Sequence, residues 1–281
     1  MLTGTLTMEP IADRSPDKDC WMLFKVASYE HVKSLQDGKI YMNSMAYFSS
    51  FSGEEKIGLR RDDFEQTYLK LNSGSDGRIV RELAMEINGK ETILGPESVM
   101  TVNLPEPSQI MIFSMVCLAE GQDELIASKR NGDILLSKRF SEFGTHALKI
   151  NNITEFTKKI SDAISVREDL YNSPTFEGRC GQVEYIDVLS HSGPFGVFRK
   201  PVDYAWQREY RVCLGAYATA LNSRGALELN IGSIADISII MTVEQLTMPI
   251  AYGRRSYRIC PVAGLPVEIH AAGRTYDTSG T

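Results

Sequence analysis

The sequence predicts a β-rich α+β protein with few helices, and three observations carry that reading. Short apolar or alternating runs of strand length recur between turn signals. One long stretch, 153–170, has strong helical periodicity. The helical stretches lie before or between the strand-forming runs. With 281 residues, 43% of them hydrophobic, the chain can bury a substantial core. We expect a single α+β domain over 19–270, with flexible segments at 1–18 and 271–281.

Trp21-Met-Leu-Phe-Lys-Val-Ala opens the series as a strand that carries Lys25 inside an apolar run. Ser28 to Gly38 reads as a short helix, with Ser28 as N-cap, Val32 and Leu35 on one face and Gly38 as C-cap. Lys39-Ile-Tyr-Met-Asn-Ser is the next strand. Residues 48–76, rich in charge and glycine, read as an exposed insert or lid, and Asp62-Asp63-Phe64-Glu65 within them as a solvated face. Asn88-Gly89 between two strand-like runs, 78–87 and 91–94, is a hairpin signal. Pro96, Pro105 and Pro107 delimit a strand over 99–104. The stretch 108–118 is the most apolar strand and holds Phe113 and Ser114. Residues 123–129 read as a helix, and a strand follows at 146–150.

The stretch 153–170 predicts an amphipathic helix with Phe156, Ile160, Ala163, Ile164 and Val166 on its apolar stripe. Further strands are expected over 183–189, 226–231, 234–241 and 257–262, with a short helix at 243–246.

Net charge is −6, which gives no global field attracting nucleic acid or an anionic membrane. No run is long enough to span a bilayer, and the N-terminus lacks a signal-peptide pattern. Cys20, Cys117, Cys180, Cys213 and Cys260 are scattered and odd in number, so reduced thiols and a cytoplasmic setting are expected. His31, His146, His191 and His270 lie far apart, and no metal is expected. Phosphate-loop, dinucleotide-fingerprint and nucleophile-elbow motifs are missing.

The most informative stretch is 195–214, an aromatic and basic approach followed by a strand pattern. Alternation from Trp206 puts Trp206, Arg208, Tyr210 and Val212 on one face. Gln207, Glu209, Arg211 and Cys213 then share the other. An amide, a carboxylate and a cation on one side of one strand form a compact polar site. The same three residues also suit the wet face of an edge strand.

Lys25, Tyr41-Met-Asn-Ser, Phe113-Ser114 and Gln207-x-Glu209 resemble the ADP-ribosyltransferase-like fold. That family has an arginine or histidine on its first strand, a serine or tyrosine element next, and a late Gln-x-Glu or Glu-x-Glu. The chain is similar, too, to uncharacterised bacterial and phage proteins that end in a Gln/Glu-x-Glu-Tyr-Arg strand. Here lysine stands at the first-strand position, and Met115-Val116 follow Ser114 where the family has Thr-Ser.

The resemblance implies a split mixed or antiparallel sheet with NAD in the cleft and an unidentified acceptor, a protein. Glu209 would be catalytic on the nicotinamide ribose and Gln207 would orient the acceptor. Lys25, Tyr41, Phe113, Ser114 and Arg211 would bind NAD. The alternative is a degenerate binding or interaction module of the same fold, active in phage–host conflict or as a phage accessory protein.

Overall fold

The computed structural model describes residues 20–50, 63–72, 84–87, 89–93, 98–119, 129–130, 133–134, 136–173, 179–248, 250–251, 255–257 and 269–271. The expected segment 1–18, nearly all of 271–281, most of the helix over 123–129 and most of the strand over 257–262 lie outside them.

The architecture is β-rich α+β, built on a mainly antiparallel sheet. Its axis is the apolar run, which forms a ten-residue central strand, Ile110–Ala119, buried at every position except Ser114. On one side it pairs along its length with Glu209–Ala216, hereafter the site strand, from Glu209 opposite Val116 to Gly215 opposite Ile110. On the other side it changes partner. Its C-terminal half pairs with the first strand, Cys20–Ala27, through Phe24 opposite Val116. Its N-terminal half pairs with the second strand, Lys39–Ser44, through Asn43 opposite Ile112. Among the described residues no strand pairs with 113–115 on that side, and the sheet is split there.

The helix Tyr29–Gln36 bridges the first and second strands, burying Val32 and Leu35 as their spacing predicts. Ser28 holds the N-cap position, but its hydroxyl meets His31 Nδ1 at 3.0 Å instead of capping a backbone N–H. Gly38 follows the C-cap Asp37 with φ +97°, and a Cβ there would lie 2.2 Å from the Gly232 carbonyl oxygen. The helix Ile153–Ser165 buries Phe156 and Ile160, with Ala163 and Ile164 packed against the same core. It stops before Val166, which is 80% exposed, so the expected stripe ends at Ile164.

Alternation along the two central strands sorts the core into layers. Phe113, Met115, Tyr210, Val212 and Leu214 face the large cluster under the helices. Ile110, Ile112 and Cys213 face a second cluster with Tyr68, Leu104, Val197 and Phe198. Val116 and Leu118 face a third with Phe24 and Phe140. On either side of the hairpin signal, Ala84–Ile87 pairs antiparallel with Lys90–Ile93, Ile87 opposite Lys90.

Three expectations need correcting. Within the expected insert 48–76, of which 51–62 and 73–76 lie outside the described residues, 63–72 are not an exposed excursion. Thr67–Asn72 is a strand, Tyr68 packs in the second cluster, Glu65 pairs with buried cations, and Lys70 and Asn72 are buried against the backbone carbonyls of Val188 and His191. The site strand does not start at Trp206. Val202–Gln207 is a 3-10 helix, and Arg208 turns into the strand in the left-handed conformation, φ 46°, ψ 49°. The thiols are not all free, since Cys20 and Cys117 form a disulfide between the first and central strands, with Cα atoms 6.3 Å apart.

Candidate functional site

The site is assembled by pairing register. Arg211 lies opposite Ser114 and Glu209 opposite Val116, so Ser114, Glu209 and Arg211 share one face of adjacent strands. Ser114 Oγ donates to Glu209 Oε1 at 2.5 Å, and Arg211 Nε donates to the same oxygen at 2.6 Å. Glu209 Oε2 receives Lys200 Nζ at 2.9 Å and, more weakly, Arg211 Nη2 at 3.4 Å. The Glu209 backbone N–H donates to Tyr185 Oη at 2.7 Å.

A second carboxylate completes the cluster. Arg211 Nη2 lies 2.7 Å from Glu65 Oε1, and Lys200 Nζ 4.0 Å from Glu65 Oε2. Arg211 Nη1 donates to the Val197 carbonyl at 2.5 Å, and Lys200 Nζ to Gln207 Oε1 at 3.2 Å. Glu65, Lys200, Gln207, Glu209 and Arg211 are all buried. Two carboxylates against two cations leave the cluster neutral, which is the condition for holding so many charges out of water.

Burial alone would raise the Glu209 pKa. The Arg211 and Lys200 charges and the hydrogen bonds from Arg211 and Ser114 outweigh it and hold the carboxyl well below the usual carboxylate range. Tyr185 moves the other way, raised by burial and by the Glu209 charge, so it stays a neutral phenol. Cys213, two residues beyond Arg211, is pushed up to about 12, by burial first.

The expected residues divide between the two faces. Glu209, Ser114 and Arg211 meet, and Gln207 joins them through Lys200 even though it precedes the strand. Phe113 points to the opposite face, as adjacent residues of a strand must. Lys25 lies with it, its Nζ 4.6 Å from the Phe113 ring centroid and 2.6 Å from the Ser114 carbonyl oxygen at the split. Tyr41 stands apart. It is 42% exposed on the second strand, opposite Glu228 of an edge strand.

Lys200, Glu65 and Tyr185 are the members that sequence reasoning missed. Lys200 lay in plain view in the basic approach, Arg199-Lys200-Pro201, and its proximity to Gln207 was the available signal. Glu65 was hidden by its acidic neighbours. Its flanking Phe64, which stacks on Phe195 at 5.4 Å, was the only local hint of burial.

Among the described residues no group of three or more His, Cys, Asp or Glu is placed to hold a metal ion, and no helix is long and apolar enough to cross a membrane. No family model matches the chain, and neither a curated protein nor a solved structure matches it.

Proposed function

We propose that the protein has an ADP-ribosyltransferase-like fold and performs NAD-dependent ADP-ribosyl transfer, or NAD glycohydrolysis, with Glu209 as the catalytic carboxylate. The hydrogen bond between Ser114 and Glu209, 95 residues apart in sequence, carries this reading. It joins the serine and the late glutamate that the resemblance assigned to one site, beside a split in the sheet.

A carboxylate held as an anion by Arg211 and Lys200 suits the chemistry. The bond from nicotinamide nitrogen to the ribose breaks, its electron pair leaves with nicotinamide, and Glu209 stabilises the positive charge that develops on the sugar. An acceptor nucleophile, or water, then bonds to the same carbon and loses its proton. Gln207, on the Lys200 side, orients that acceptor.

One observation favours a second reading. Both Glu209 oxygens are already engaged, by Ser114, Arg211 and Lys200, as in a binding or interaction module of the same fold whose site serves structure.

Incubation with NAD and a cell lysate, following nicotinamide release and label transfer, separates the two. Glu209→Gln should lower release by about 100-fold. Ser114→Ala, which keeps the charge, should lower it by about tenfold. Absence of NAD cleavage by the wild-type protein, with no NAD binding, would leave the module reading.

A further inference from the structure

Glu65 has no part in the proposed reaction, yet its carboxylate is buried against both cations of the site. Its turn, 63–66, is tied to its neighbours by hydrogen bonds, among them one that the Gln66 side-chain amide donates to Ser49 Oγ. Thr67 N–H donates to the Phe64 carbonyl and Leu104 N–H to the Gln66 carbonyl, each at 2.8 Å, and Phe64 stacks on Phe195. Without Glu65 the remaining trio, Lys200, Arg211 and Glu209, would carry one uncompensated positive charge in the interior. Such a charge demands an anion.

We propose that Arg211 and Lys200 form a binding site for one phosphate of a dinucleotide diphosphate, and that Glu65 is its resident occupant, displaced when the ligand binds. The ligand's identity rests on the NAD reading above. Charge favours this class: a phosphate inside a diphosphate diester carries a single negative charge, as the Glu65 carboxylate does, so the exchange preserves neutrality. A free phosphate dianion would exceed it. The donor set fits as well, a guanidinium fork beside a compact ammonium. Lys25, expected to bind NAD, lies on the other face with Phe113. Arg211 and Lys200 are the cations that touch Glu209. The consequence is self-inhibition, because ligand affinity is reduced by the small fraction of molecules in which Glu65 is out.

Calorimetric titration with ADP-ribose tests this, with adenosine as the uncharged control. Glu65→Gln should bind ADP-ribose about tenfold tighter than wild type, or more, with adenosine unaffected. Equal or weaker binding, or no binding to either protein, overturns the proposal. Should the variant fail to fold, hydrogen exchange on the wild-type protein decides. Saturating ADP-ribose should speed exchange at the Thr67 and Leu104 amides, whose acceptors lie in the turn; unchanged or slower exchange overturns the proposal.

Failure here and failure of the transferase reading are distinguishable. Glu209-dependent nicotinamide release with unchanged exchange removes the Glu65 mechanism alone. Faster exchange without NAD cleavage removes transfer and keeps the anion site.

Discussion

Glu209 keeps its charge in the interior because Arg211 and Lys200 outweigh the cost of burial, and that balance has a pH signature. Its pKa is depressed in the folded protein, so its stabilising contribution is complete above the ordinary glutamate range near about pH 4.3 and is lost as pH falls below it. Glu209→Gln should lower stability by about 3–5 kcal/mol at neutral pH, since it leaves an uncompensated buried cation. The Tm difference between wild type and variant should shrink below about pH 4. A difference constant from pH 3 to 8 would mean that shape, and not charge, explains the loss.

At the scale of elements, two corners set where the site sits. Arg208, a bulky residue in a left-handed conformation, ends the 3-10 helix and starts the strand, at a cost of about 1 kcal/mol or more. Its carbonyl accepts the Cys117 N–H at 2.8 Å, which ties the corner to the central strand. The other corner joins the first helix to the second strand. There Ile231 N–H reaches the Gly38 carbonyl and Ile234 N–H the Gln36 carbonyl, which draws the two backbones together. A methyl group at Gly38 would meet the Gly232 carbonyl oxygen at 2.2 Å, at a positive φ that alanine avoids. Gly38→Ala should therefore cost about 2–4 kcal/mol, read as a fall in the urea midpoint with the slope unchanged. A loss under about 1 kcal/mol would show that the corner relaxes freely.

For the whole molecule, the Cys20–Cys117 disulfide closes a separation of 97 residues between the first and central strands, the two that define one edge of the split. In the chain-entropy model a loop of that length contributes about 4–5 kcal/mol. Reductant, or Cys20→Ser, should lower the Tm measured by calorimetry. A Tm indifferent to both would mean that the two sulfurs are not bonded in solution.

The sequence by itself determined the elements and one face of the site. Apolar runs and alternation located the central strand, the start and apolar stripe of the helix expected over 153–170, and the shared face of Glu209, Arg211 and Cys213, because those patterns are local consequences of backbone periodicity. Only the tertiary structure decided which faces meet. Phe113 and Ser114 are neighbours in sequence, but the pleat sends them to opposite layers, and Lys25 follows Phe113. Glu65 and Lys200 enter the cluster from distant segments, recruited by charge balance that leaves no mark in local spacing. Cys20 and Cys117 meet through strand register, a long-range pairing that their scattered positions did not disclose. Periodicity is written residue by residue, whereas pairing register and buried charge compensation exist only once distant parts of the chain have been brought together.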